Sequence, residues 1–308
     1  MPKSDGLWFL MIIVIMFALW LSGGMVREEA GSIPNALVGE EGLLSIGDAN
    51  SRDDERARAG VAETGDSSLY GSNVRLNLGN IRSVSYPEDQ YIYISNRGWR
   101  ATEPVYVGGW TMENGSLSSS KNKKKIVLPV SGIEYYNPYN LTGNKKSPLV
   151  LYPGDTLVVS VGENPSGRKL KLESSFKENV CMGYLENLSG LDFLPSLRVR
   201  CPSELDFIDR DKIRDECYSL VRRLPRCTEP KVVNDCVNSY CEVPSSCRRL
   251  VEDIFGYENC FNKRKNQENF LGDTWRVYLG YSSNIFRKSN GYLALYDNQG
   301  LLVDRIEY

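Results

Sequence analysis

The stretch Trp275-Arg276-Val277-Tyr278-Leu279 alternates with period two, so Trp275, Val277 and Leu279 share one side of a strand. Two more strand candidates follow, Tyr292–Tyr296 and Leu301–Tyr308, joined by the hairpin turn Asp297-Asn298-Gln299-Gly300. These C-terminal strands have no core of their own. They must complete sheets begun before residue 165.

That upstream region supplies them. From Val74 the chain breaks into short β-branched and aromatic runs separated by Gly, Pro and Asn, the pattern of an all-β sandwich. Strands are expected at Asn73–Val84, Gln90–Ser95, Val105–Met112, Lys124–Leu128, Leu149–Tyr152 and Thr156–Gly162. Within the second, Ile92 and Ile94 face one way while Tyr91 and Tyr93 face the other, which suits a half-buried strand. Pro153-Gly154 is a turn, and Trp110 is expected in the core.

Between the two β regions the strand texture stops, and residues 177–272 form an insertion. All eight cysteines fall inside it: Cys181, Cys201, Cys217, Cys227, Cys236, Cys241, Cys247 and Cys260. An even set without the close pairs of a zinc site indicates disulfides in an oxidising compartment. Helices are expected at Asp215–Leu224, stopped by Pro225, and at Ser245–Phe255, stopped by Gly256. If they pack as an antiparallel hairpin, Cys217 meets Cys260 and Cys227 meets Cys247. Elimination then leaves Cys181 with Cys201 and Cys236 with Cys241.

Asn73–Gly162, with Gly109-Trp110-Thr111-Met112, the Pro153-Gly154 turn and Ser160–Gly167, resembles a lamin-tail-like domain. The segments Trp275–Gly280 and Ala294-Leu295-Tyr296-Asp297 through Asp304 resemble its closing strands. Asn179–Leu185, Arg200-Cys201-Pro202 and Arg226-Cys227 are similar to segments of membrane-anchored lamin-tail-like proteins of candidate-phylum bacteria, whose function is uncharacterised. The resemblance implies an immunoglobulin-like β-sandwich and permits nucleic-acid binding, but it is nearly silent on activity.

The N-terminus carries an address. Lys3 precedes fifteen uninterrupted apolar residues, Leu7–Leu21, and Trp8 and Trp20 stand near the two ends. Extended to Val26, the run matches the length of a membrane-spanning helix with its N-terminus inside. A cleaved signal peptide is the alternative, since Ser22 and Gly24 suit cleavage. Either way the remainder leaves the cytoplasm. Residues 27–72 carry four basic against ten acidic side chains, lack periodicity, and are expected to be a disordered linker. The expected organisation is 1–26 anchor or signal, 27–72 linker, 73–176 first part of the sandwich, 177–272 insertion and 273–308 closing strands.

Composition narrows the function. The chain has no histidine, which removes Ser-His-Asp and Cys-His nucleophile pairs and His-ligated metals. Net charge is −2, although residues 73–200 and 263–308 together carry an excess of seven positive charges. Asp206, Asp209 and Asp211 form a tight acidic cluster, but acids before a helix complement its dipole, and no calcium loop is completed. Tyr135, Tyr136 and Tyr139, near Lys145 and Lys146, are the candidate binding residues, because aromatics beside cations suit sugars, bases or acidic polymers. No metal, cofactor or catalytic activity is expected. The expected role is a membrane-tethered extracytoplasmic binding or scaffolding protein, engaging an envelope protein or polymer. Extracellular nucleic-acid binding is the second reading, and a carboxylate-dependent hydrolase the third.

Overall fold

The computed structural model describes residues 67–308 apart from 83–85, 98–100, 120–122, 166–171, 173–174, 189–190, 198–200, 230–244 and 288. In chain order the strands before the insertion are β1 (Val74–Asn77), β2 (Tyr91–Asn96), β3 (Val105–Tyr106), β4 (Thr111–Ser116), β5 (Lys124–Val127), β6 (Ser131–Ile133), β7 (Lys146–Pro148), β8 (Val150–Leu151), β9 (Thr156–Ser160) and β10 (Ser175–Asn179). The helices α1 (Gly183–Glu186), α2 (Asp215–Arg223), α3 (Ser245–Ile254) and α4 (Tyr257–Arg264) follow. The chain closes with β11 (Leu271–Tyr278), β12 (Gly291–Tyr296) and β13 (Leu302–Glu307). The protein is mainly β. The expected membrane segment and residues 27–66 of the expected linker lie outside the described residues, among which no helix is long and apolar enough to cross a membrane. The last six linker residues are not the expected disordered chain, since Ser67 bridges Leu302, Ser68 N–H donates to the Leu302 carbonyl at 2.8 Å and Leu69–Ser72 form a 3-10 turn.

A larger sheet runs β1-β2-β9-β11-β10-β6-β7 and a smaller one β13-β12-β4-β5, with β3 and β8 paired separately. The larger sheet is mixed, since β9 runs parallel to β11 and β6 parallel to β10. Both sheets feed one apolar core: Ile92, Ile94, Leu157 and Val159 from the larger meet Met112, Ile126, Leu293 and Leu295 from the smaller. Trp110 lies in this core at 1% exposure. The C-terminal strands are divided between the sheets, with β12 antiparallel to β4 and β11 wedged between β9 and β10.

Two expected strands are cut short. Gly108-Gly109, with Gly109 at φ +78°, separates β3 from β4 inside the run Val105–Met112. β1 ends at Asn77, and Asn77 Oδ1 accepts the backbone N–H of Gly79, which turns the chain away.

The opening stretch carries more than its alternation implied. Trp275 and Val277 point into the sandwich core. Tyr278, on the opposite face, joins a second core with Phe176, Tyr184, Leu185, Phe193, Phe261 and Phe270. Arg276 shares that face at 1% exposure; its Nε donates to Glu178 and its Nη2 to the carbonyl of Ser196. The inserted segment therefore sits on the outer face of β10 and β11, where an exposed strand face would be polar. Its limits are set by the strands that flank it, β10 ending at Asn179 and β11 starting at Leu271, so it covers 180–270, three residues inside the expected start and two inside the expected end.

The bridges are Cys181–Cys260, Cys201–Cys227 and Cys217–Cys247, which corrects the expected Cys217–Cys260, Cys227–Cys247 and Cys181–Cys201. The expected Cys236–Cys241 bridge lies outside the described residues. The antiparallel hairpin fails for two reasons. Short loops enforce antiparallel packing, but residues 224–244 separate α2 from α3, and the bridge joins the third residue of each helix, so their N-terminal ends lie side by side. α3 does end before Gly256, as expected, but Gly256, at φ +98°, is also the N-cap of α4, which begins directly after it. That helix buries Tyr257, Cys260, Phe261 and Arg264, spaced i, i+3, i+4, i+7, and so turns Cys260 toward β10 and Cys181. Meanwhile Val221, Val251, Ile254 and Phe255 make a third, small apolar cluster between α2 and α3.

Candidate ligand groove

The loop between β6 and β7 places the candidate tyrosines, and asparagines hold its shape. Asn137 N–H donates to Asn144 Oδ1 at 2.9 Å, while Asn144 Nδ2 donates back to the Asn137 carbonyl at 3.1 Å. Asn137 Oδ1 accepts from Tyr139 N–H at 3.0 Å, and Asn140 Oδ1 accepts from Gly143 N–H at 3.2 Å. Short amide side chains serve this purpose in turns because they mimic backbone groups.

This scaffold sends the three tyrosines to three different places. Tyr136 is fully buried, its ring stacked on Phe176 with centroids 4.8 Å apart. A buried relay fixes it: Asn179 Nδ2 donates to Tyr257 Oη at 2.8 Å, and Tyr257 Oη donates to the Tyr136 carbonyl at 2.5 Å. Tyr136 thus ties loop, strand β10 and helix α4 together and is a core residue. Tyr135 lies 48% exposed with its ring parallel to Phe270, centroids 6.0 Å apart. Tyr139, 45% exposed, lines a separate concavity of about 300 Å³ with Glu229, Glu252 and Glu258. Burial, with Glu229 and Glu258 adding to it, pushes the Tyr139 hydroxyl above its ordinary pKa. Lys145 and Lys146 are exposed and line neither cavity.

Tyr135 is instead one wall of a groove of about 760 Å³ between this loop and the segment from Phe261 to Leu271. That is within the range of roughly 300–1,000 Å³ typical of ligand clefts. Its lining is rich in carboxamides: Asn137, Asn140 and Asn144 from the loop, and Asn262, Asn266 and Gln267 from the opposite wall. Among the described residues, the charged ones that line it are Lys265 and Glu268, of opposite sign. Gln267 Oε1 accepts from Arg264 Nη1 at 3.1 Å, which orients the amide on the far wall. The sequence carried a signal for this wall in the amides Asn262, Asn266 and Gln267 within and just after α4, but only the fold brings them opposite Tyr135.

Other candidates resolve into structural roles. Asp206 Oδ2 accepts from Arg264 Nη2 at 2.9 Å, and Asp209 pairs with Lys212 at 2.7 Å while capping Asp211 N–H. Asp297 Oδ1 accepts from the N–H groups of Gln299 and Leu301, closing the hairpin. Glu216 lies close to Cys217 and Cys247, but those sulfurs are joined to each other. A second cleft of about 580 Å³ lies on the outer face of the larger sheet, lined by Tyr93, Ser95, Thr156, Thr274 and the Arg276–Glu178 pair. On the smaller sheet Glu113 receives Tyr292 Oη at 2.6 Å and pairs with Lys123 at 3.0 Å. Burial works to raise the Glu113 carboxyl, but the bonds from Tyr292 and Lys123 outweigh it and hold the group below the usual carboxylate range.

No protein-family model matches the chain, and no curated protein matches it. The functional reading therefore rests on residues and geometry.

Proposed function

We propose that the protein is a membrane-tethered, extracytoplasmic binding module without catalytic activity. In this reading an N-terminal anchor and spacer present a lamin-tail-like, immunoglobulin-type sandwich, and the stapled insertion supplies one wall of a groove for an envelope protein or polymer. The observation that carries it is the set of three bridges, Cys181–Cys260, Cys201–Cys227 and Cys217–Cys247, since disulfides persist where the surroundings are oxidising. The groove supports binding over chemistry because amides and a tyrosine dominate its lining. Intact mass with thiol alkylation, on protein recovered from its native membrane fraction, tests the compartment. Full mass and no alkylation at the six bridged cysteines is the expected result. Alkylated thiols there would overturn the reading, and a mass lacking the first 24 residues would replace the anchor with a cleaved signal.

Extracellular nucleic-acid binding is a second reading, favoured by Lys123, Lys125 and Arg305 gathered on the smaller sheet. Glu113 already engages both lysines, and Arg305 lies over the Tyr292 ring at 4.4 Å and pairs with Glu307. Binding of an oligonucleotide with a steep loss of affinity in salt would favour it.

A further inference from the structure

From the lining of the groove we infer that its ligand is an uncharged glycan carrying 2-acetamido groups, an assignment that rests on the binding-module reading above. Three features of the groove lead there. The first is charge. Lys265 and Glu268 offset each other, and the exposed Lys145 and Lys146 lie outside the lining, so a polyanion would find little to neutralise.

The second is hydrogen-bond polarity. Asn137 Oδ1, Asn140 Oδ1 and Gln267 Oε1 are already occupied by Tyr139 N–H, Gly143 N–H and Arg264 Nη1, and Asn262 Oδ1 accepts from Lys265 Nζ at 3.5 Å. Each carboxamide oxygen has two lone pairs and each nitrogen two N–H donors. With at least one lone pair on each of these oxygens held internally, the N–H₂ donors of Asn137, Asn140, Asn262 and Gln267 outnumber the acceptor positions left for a ligand. A groove that presents donors selects a ligand rich in acceptors, and the acetamido carbonyl is a stronger acceptor than a sugar hydroxyl.

The third is the platform. Tyr135 is half exposed and held parallel to Phe270, so its free face offers a flat apolar surface of fixed orientation beside the amides. Pyranose rings pair an apolar face with a polar edge, and an aromatic face flanked by amides meets both demands.

Titration calorimetry of the full oxidised chain with chitotetraose, cellotetraose, tetragalacturonate and oligodeoxythymidylate tests the assignment. Chitotetraose and cellotetraose differ in their acetamido groups, so the expected result is binding of chitotetraose about tenfold or more tighter than cellotetraose. Raising NaCl from about 0.05 to 0.5 M changes this affinity by about twofold at most, because an uncharged ligand releases no counterions. Tyr135→Ala and, independently, the exposed Asn262→Ala each weaken it, the former by about tenfold, while Lys145→Gln, outside the lining, leaves it nearly unchanged. Equal affinity for the two neutral tetrasaccharides would overturn the acetamido assignment. Tyr135-dependent binding of tetragalacturonate alone would overturn the uncharged assignment, and of the oligonucleotide alone the glycan class, each leaving a binding module in place. Failure of all four ligands to bind would overturn the glycan assignment and leave the binding-module reading to the test of its compartment.

Discussion

The sandwich and the insertion are stabilised in opposite ways. The sandwich holds its two sheets around one large apolar core with Trp110 and Trp275 inside it. The described cysteines, by contrast, all lie in the insertion, which spreads its apolar residues over a cluster on β10 and β11 and a small one between α2 and α3. Short helices and small clusters recover too little burial to offset the entropy of ordering them, and covalent links reduce that entropy in the unfolded chain. The comparison teaches that one chain can divide its stability between burial and crosslinking, and it locates the candidate groove at the seam between the two.

Reduction is the strongest way to break the comparison. Chain-entropy estimates give about 4–5 kcal/mol for Cys181–Cys260, which closes 79 residues, and about 3.5 kcal/mol for each of the bridges closing 26 and 30. With all three reduced, hydrogen exchange is expected to show α2, α3 and α4 losing protection while β4 and β12 keep theirs. Simultaneous loss in both regions would show that the sandwich depends on the staples. Between paired Ser variants, Cys181→Ser with Cys260→Ser should lower the midpoint of denaturation more than Cys217→Ser with Cys247→Ser.

Arg276→Ala tests the seam itself. It removes the guanidinium that pairs with the buried carboxylate of Glu178, and breaking a buried ion pair in this way costs about 3–5 kcal/mol. Urea unfolding should report that loss, and pairing the substitution with Glu178→Leu should recover much of it. An Arg276→Ala protein as stable as the original would mean that the insertion is not sealed onto β11 as described.

Gly183→Ala sharpens the insertion side. A Cβ there would overlap Cys227 Sγ and lie 2.9 Å from Cys201 Sγ, so α1 can pack on that bridge only with glycine. Overpacking of this kind costs about 1–3 kcal/mol. The exchange rates around α1 should rise, with β12 unaffected.

On the sandwich side, the smallest effect follows from Glu113. Its pKa is held below the ordinary 4.5, so its contribution is fully present above that value and fades as pH falls through the folded pKa. Asp155 has the opposite sign, raised by burial against the pull of Lys177, so acid relieves it. The Glu113 effect is therefore read as a difference: Glu113→Gln should destabilise by about 1 kcal/mol at neutral pH and converge with the original protein in acid. A constant difference at all pH values would mean that charge is not what Glu113 supplies.

Much of the sandwich was readable in the sequence. The alternation of Trp275 and Val277, the Asp297–Gly300 turn and the starts of α2 and α3 at Asp215 and Ser245 all stand where local pattern put them. Pattern failed where a local signal had two meanings. Gly256 reads as a helix stop, and α3 does end before it, but its positive φ also makes it the corner into α4, and the missed helix misdirected Cys260. The stripe Tyr257, Cys260, Phe261, Arg264 was the available clue. At the candidate site, sequence proximity grouped Tyr135, Tyr136 and Tyr139, but consecutive loop residues point different ways. Only Tyr135 reaches the amide-lined groove, and the wall facing it comes from residues more than a hundred positions away.

The most direct test of the account is non-reducing peptide mapping of the protein from its native cell fraction. The account predicts peptides linked as Cys181–Cys260, Cys201–Cys227 and Cys217–Cys247, with no free thiol at these six positions. Free thiols at those positions would contradict both the oxidising compartment and the stapled insertion on which the groove is built.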